Sequence, residues 1–249
     1  MSQLRLTPRY HSSVILSQKL GKFVTFEGLD GCGKSTQLDR LASALNMLGI
    51  EAVLTREPGG TPIGEKCRDL LLDINTKRLH PCAELSLMFA SRAQLVAEII
   101  KPALRKGMWV LCDRFVDSSE AYQGGGRDLG SDVVMELHRA LLGGFEPDLT
   151  ILLDHDIADS VERARARNTM LDGKQTRFEE ESRHFFERVQ KSFRQIASRD
   201  RQRVVMINAK RPIDVIHEEI LAEVVRRFLP TASPFRTTLE KRLNDRVSL

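Results

Sequence analysis

Nine residues constrain this chain more than any others: GLDGCGKST, Gly28 to Thr36, set between the apolar run FVTFE and a leucine-bearing segment with helical spacing. They fit G-x-x-x-x-G-K-[ST] with Gly28, Gly33, Lys34 and Ser35 at the fixed positions, and a strand-then-helix setting is the one that gives this pattern a physical meaning. Glycines let the backbone curl until successive N–H groups point inward, and a helix starting near Lys34 adds the positive end of its dipole. The result is a phosphate cradle. Leu29, Asp30, Gly31, Cys32 and Thr36 complete its wall, Lys34 would reach the outer phosphates and Ser35 would hold Mg²⁺ through its hydroxyl. A mere Gly-rich turn would need neither the lysine nor the hydroxyl, so the chain is read as binding a nucleoside triphosphate.

Around that loop, strand-like runs alternate with helical patterns. Strands are predicted at 22–27, 51–55, 108–113, 148–154 and 203–208, with helices over 34–48, 63–73, 81–106, 115–123, 131–142, from 157, over 177–199 and over 213–228. Such alternation builds βαβ units and therefore a parallel sheet covered by helices on both faces, an α/β fold. With no Pro/Gly/Ser-rich linker and no repeat, one domain over 21–230 accounts for the pattern, preceded by an extension (1–20) and followed by a polar tail (231–249).

Composition narrows the partners. A net charge of +4 fits nucleic acid, an acidic membrane surface or small phosphorylated ligands. Only 6% of residues are aromatic and none of them form a run interleaved with basic residues, which argues against nucleic acid. The apolar stretches are strand-length, so no membrane span is expected, and the N-terminus lacks the apolar core of a secretory signal. Cys32, Cys67, Cys82 and Cys112 are scattered without a CxxC pair, which suits reduced thiols in a cytoplasm and no cysteine metal site. Cys32 can be read as a reactive thiol at a helix N-terminus or as an inert one turned into the core.

What accepts the phosphoryl group decides the function. A guanine-nucleotide switch would carry N-K-x-D, and no such stretch occurs. A kinase needs a second cationic pocket, and Arg56 in TREPGG and Arg114 in DRF both follow predicted parallel strands at the edge where open α/β sheets bind ligands. Asp113 closes its strand beside the phosphate loop and is the preferred second Mg²⁺ holder; Asp154 ends DLTILLD in a similar way.

The stretches FEGLDGCGKSTQ, TREPGGT, SRAQLVAEIIKPAL, DRF, SSEAYQGGGR, PDLTILLD and RARAR followed by RFE together resemble the thymidylate kinases of the bacterial type, from about Lys22 to Leu229. The resemblance implies a P-loop NTPase-type three-layer fold with a five-stranded parallel sheet and a helical lid. It also implies transfer of the ATP γ-phosphoryl group to dTMP with Mg²⁺, a step in dTTP synthesis, and a homodimer. Another small-molecule kinase, or less readily a nucleotide-dependent switch, is the alternative. Carried over by residue, Asp30 would meet the acceptor's 3′-hydroxyl, Arg56 and Arg114 its 5′-phosphate, and Arg92 with Ser119 the thymine edge. Tyr122 would lie beneath the deoxyribose with Gln123 close by.

One departure concerns base stacking. The family places an aromatic four residues before the base-binding arginine, whereas here Met88 stands at that position and Phe89 at three. Both spacings share a helix face with Arg92, so either side chain is a candidate for the base. The lid is read at about 163–177, in RARARNTMLDGKQTR, where Arg163 and Arg167 share a helix face and Lys174 and Arg177 follow a Gly-containing bend. A solvated basic helix end would look the same. In the family's bacterial type, a phosphate loop without an arginine is served by the lid. That assigns the catalytic cation to Arg167 or Arg177 and adenine contacts to Arg163 and the Asn208–Lys210 turn. An arginine placed at Gly31 would then be expected to reach the same oxygens from the loop side.

Overall fold

The computed structural model describes residues 21–230 apart from 75, 77, 78, 172–177, 179 and 180, and the backbone alone at 165 and 167–171. The extension, the tail and the side chains of Arg167, Lys174 and Arg177 therefore lie outside the described residues.

Five apolar runs form the sheet: β1 (Phe23–Glu27), β2 (Ala52–Arg56), β3 (Trp109–Asp113), β4 (Leu149–Asp154) and β5 (Val204–Asn208). Every residue of β1 is buried, as expected of a central parallel strand with helices on both faces. The order is β2-β3-β1-β4-β5, all parallel, with Val24 opposite Leu111 on one side and Leu149 on the other. Chain direction along the sheet reverses at β1, so its carboxyl end opens the crevice where such sheets take ligands. The phosphate loop leaves from that end and runs into α1 (Lys34–Met47).

Two apolar layers clamp the sheet. Val24, Phe26, Leu111 and Ile151 pack with Leu41 and Leu45 of α1 and with Ile220 and Val224 of α9 (Ile213–Phe228). On the other face, Val110 and Cys112 pack with Phe89 of α3 (Pro81–Leu95) and Val134 of α6 (Ser131–Leu142). A third cluster joins Leu29, Leu152 and Tyr122 to Phe185, Val189 and Phe193 of α8 (Arg183–Arg199).

The helices depart from expectation in three places. The run over 81–106 is α3, a π-helical turn at Val96–Ile100 and a short α4 (Lys101–Arg105); Pro102 lacks the N–H that would continue a regular ladder back to Glu98. Past α5 (Val116–Ser119), a second π-helical stretch runs on through Glu120–Gly126, beyond the expected end at 123. Its glycines admit α8: a Cβ on Gly125 would stand 2.8 Å from Ser192 Cβ, and one on Gly126 would stand 2.6 Å from the Phe185 ring. Finally, α8 begins at Arg183 rather than at 177, with Ser182 capping the Phe185 N–H at 3.2 Å. The remaining helices are α2 (Pro62–Leu72) and α7 (Ile157–Leu171).

Candidate active site

The phosphate loop has the backbone its glycines permit. Gly28, Gly31 and Gly33 take φ of 132°, 83° and 102°, values that side chains rarely tolerate. Lys34 is buried, and its ammonium donates to the carbonyls of Gly28 (3.2 Å) and Leu29 (2.9 Å). Ser35 donates its hydroxyl to Asp113 Oδ2 at 3.1 Å, which pairs the two residues expected at the metal. Asp113 Oδ1 is buried without a hydrogen-bond partner. Two hard oxygen ligands with phosphates and water filling the other positions match the way Mg²⁺ is held at nucleotide sites. The other candidate, Asp154, is engaged by Arg194 at 2.9 Å and by Gln190 at 3.2 Å.

Helix α7 packs directly on this loop. A Cβ on Gly31 would fall 2.2 Å from the Ser160 carbonyl oxygen and 3.0 Å from the Ala164 nitrogen, so a side chain at 31 has no room while α7 stands there. The expectation that an arginine at 31 could approach the phosphates from the loop is not supported. Arg163, expected at adenine, lines the cleft formed with Gly31, Gly33, Lys34, Ser35 and Thr36. In the Asn208–Lys210 turn, Asn208 caps the Lys210 N–H at 3.0 Å and Lys210 pairs with Asp156 at 2.6 Å. Cys32 is 3% exposed and burial pushes its thiol pKa up, which is the inert-core reading.

A second cavity adjoins the first. Arg92 anchors it, sandwiched between Phe89 and Phe115 with its guanidinium 4.7 and 5.3 Å from their ring centroids. Its Nε donates to Glu57 Oε2 at 2.7 Å, and its Nη2 to the Phe115 carbonyl (3.0 Å) and Ser119 Oγ (2.9 Å). Burial raises the Glu57 carboxyl to about 7 against the downward pull of Arg92. Three buried atoms on cavity-lining residues have no hydrogen-bond partner: Arg92 Nη1, a donor, and Glu57 Oε1 and Gln123 Oε1. Gln123 is fixed at its other end by donating to the buried Glu84 at 2.8 Å.

The two candidates for the base, Met88 and Phe89, take different places here. Met88 lines the cavity, while Phe89 is fully buried behind Arg92 and is absent from the lining. A step of one residue turns a helical side chain by about 100°, enough to move the ring from the cavity side of the arginine to its back. Phe89 is thus a support for Arg92 rather than a wall of the cavity. Tyr122 does line it, wedged edge-on among Phe178, Phe185 and Phe193, and burial pushes its phenol pKa up.

Arg114 stands where the two cavities meet. Its Nη2 donates to Asp30 Oδ1 (2.9 Å) and to the Tyr122 hydroxyl (3.3 Å), and its Nη1 to Ser118 Oγ (2.9 Å). Asp30, Glu57, Arg68 and Arg114 line both spaces. Arg56 lines only the phosphate-loop cleft, held by Glu65 at 3.1 Å. Arg68 on α2 is a residue the sequence reading did not single out. It donates to the Pro58 carbonyl at 3.0 Å, and burial together with the nearby Arg56 charge lowers its pKa.

The family model for thymidylate kinase matches residues 26–220. The chain belongs to the thymidylate kinase family. It is 44% identical over 212 residues to the thymidylate kinase of Alkalilimnicola ehrlichii, covering 84% of this chain and 96% of the relative. The thymidylate kinase of Desulfovibrio desulfuricans is 48% identical over 195 residues, covering 76% of this chain and 88% of the relative. Among solved structures, the thymidylate kinase of Ehrlichia chaffeensis superposes with a TM-score of 0.65 at 33% identity, covering 83% of this chain and 98% of that one.

Proposed function

We propose that the chain transfers the γ-phosphoryl group of ATP to the 5′-phosphate of dTMP, with the phosphate loop holding the donor and the Arg92 cavity holding the acceptor. The observation that carries this reading is the junction: the residues shared by the two spaces include Arg68 and Arg114, so cations line the passage a phosphoryl group would cross. An acceptor phosphate oxygen attacks the γ-phosphorus, the bond to the β–γ bridging oxygen breaks, and ADP and dTDP leave. A phosphate monoester has a second pKa near 6, so the attacking oxygen is already largely ionised at neutral pH and no general base is required. The protein's task is to bring two polyanions together and to stabilise charge on the transferring group.

Lys34 would leave the loop carbonyls for the outer donor phosphates, and Arg56, Arg68 and Arg114 would hold the acceptor phosphate. Ser35 and Asp113 would hold Mg²⁺, which would offset the charge of the donor phosphates. For the base, a free donor on Arg92 and a free acceptor on Gln123 are supplied in the order that thymine O4 and N3–H require; cytosine presents the reverse. Asp30 would meet the 3′-hydroxyl and Tyr122 would exclude a 2′-hydroxyl. Arg163, beside the loop, joins Arg167 and Arg177 as a candidate cation for the transferring group.

Isothermal titration with Arg114→Ala tests the division of labour. Each lost charge-assisted contact is worth about 1.5–3 kcal/mol, so dTMP affinity should fall at least tenfold while ATP affinity holds; equal losses would place Arg114 elsewhere. Among the described residues no helix is long and apolar enough to cross a membrane. A cytoplasmic location fits four free thiols. A homodimer is supported by apolar side chains left exposed on α2 (Ile63, Leu70) and α6 (Val133, Leu141). Sedimentation should give twice the 28.2 kDa chain mass, and a monomer at micromolar concentration would refute it.

A further inference from the structure

Glu27 ends β1 fully buried and lines neither cavity. Both of its oxygens are nonetheless occupied: Oε1 accepts the Phe115 N–H at 2.7 Å and Oε2 accepts the Ser118 hydroxyl at 2.5 Å. Ser118 Oγ in turn accepts from Arg114 Nη1 at 2.9 Å. Arg114 itself sits at φ 74°, one of two non-glycine residues with positive φ among the described residues. A residue of that kind keeps so disfavoured a backbone only where its surroundings fix it.

The bonds around Glu27 supply that fixation from both ends. The Phe115 N–H is the next donor along the chain after the Arg114 peptide, and the Arg114 N–H is tied to the Phe26 carbonyl at 2.9 Å. The turn is therefore stapled to the last two residues of β1, the strand that also launches the phosphate loop. Through Ser118, the same carboxyl braces the guanidinium. We propose that Glu27 is a positioning residue for phosphoryl transfer, holding the backbone and side chain of Arg114 in register with the phosphate loop.

A carboxyl there is not what stability alone would select. Burial first, then the neighbouring Asp117, drive its pKa up against the pull of Arg114, so ionising it in place is unfavourable. Its surroundings are otherwise closed, since Asp117 is committed to Arg203 at 2.6 Å. The inference rests on the reading that Arg114 holds the acceptor phosphate.

The test is steady-state kinetics of the full chain with Glu27→Ala, Glu27→Gln, Ser118→Ala, Arg114→Ala and the double variant Glu27→Ala/Arg114→Ala, with thermal unfolding of each. Glu27→Ala should lower kcat/KM for dTMP about 10- to 100-fold with the dissociation constant for ATP unchanged, as for a misplaced charge-assisted contact. Glu27→Gln, which keeps an oxygen for Phe115 and offers an amide to Ser118 Oγ, should stay within about threefold of the parent. The double variant should be no worse than Arg114→Ala, because Glu27 acts through it. If Glu27→Ala does not fold, Ser118→Ala decides, as it cuts the brace while leaving β1 intact; its kcat/KM should fall severalfold. Parent-like dTMP kinetics in folded Glu27→Ala or Ser118→Ala, or losses that multiply in the double variant, overturn the proposal. Unchanged dTMP kinetics in Arg114→Ala would instead overturn the site reading beneath it.

Discussion

Arg92→Met is the perturbation that separates holding the base from holding the fold. The side chain keeps its bulk between Phe89 and Phe115 but loses three bonds to Glu57, Phe115 and Ser119 and the free Nη1. The Nη1 contact to the base is charge-assisted, worth about 1.5–3 kcal/mol, so kcat/KM for dTMP should drop roughly 10- to 150-fold. Leaving a buried partner charge unpaired ordinarily costs about 3–5 kcal/mol of stability. Here the carboxyl already titrates at about 7 with Arg92 in place, so Glu57 will take a proton and soften that loss. Adding Glu57→Gln to Arg92→Met removes the buried acid and should recover thermal stability without restoring kcat/KM. The assay is coupled ADP release with dTMP varied at saturating ATP, alongside calorimetric melting of both variants. A folded Arg92→Met protein within threefold of the parent would refute the assignment of Arg92 to the base.

Three further outcomes follow from the same packing. Met88→Phe should lower KM for dTMP about 2- to 10-fold, since an aromatic face adds about 0.5–1.5 kcal/mol over a thioether; a raised KM would show that the base does not lie against residue 88. Gly31→Arg should lower the melting temperature and ATP affinity, because its Cβ meets the α7 backbone at 2.2 Å and its φ is 83°, and a gain in kcat would contradict the packing of α7 on the loop. Glu27, raised from 4.5 to about 8, favours the folded state in its neutral form, so its contribution is full below about 4.5 and is lost as pH rises toward 8. The melting temperature of Glu27→Gln relative to the parent should therefore rise across that window, and a flat difference would refute the buried-acid account.

Much of this was legible in the chain because the strongest signals are local. GLDGCGKST declares its backbone through glycines, and the strands declare themselves through apolar runs bounded by turns. Ser35 was read from the loop pattern and Asp113 from its strand end with Arg114 beside it, and the two lie 3.1 Å apart. What escaped depends on which way a helix is turned or what packs on it. Met88 and Phe89 share one face at the resolution of a periodicity argument, and only the position of Arg92 sends one to the cavity and the other behind the guanidinium. Arg68 is one arginine on an otherwise ordinary amphipathic helix, visible as a ligand group only once α2 lies beside the Glu57–Gly60 turn. That Arg163 stands beside Gly31 was not legible either, because spacing within a helix says nothing of its distance to a distant glycine. Glu27 reads as part of the strand FVTFE, and its partners lie 88 and 91 residues away.

The central claim is that the Arg92 cavity selects the nucleotide that receives the phosphate. ADP release measured across dTMP, dUMP, dCMP, AMP and GMP at saturating ATP and Mg²⁺ tests it most directly. The account predicts the highest kcat/KM for dTMP. It predicts a dUMP value lower by roughly 10- to 200-fold, the range a single methyl in an apolar pocket commands, and turnover near background for dCMP, AMP and GMP. A purine monophosphate or dCMP used as well as dTMP would contradict it.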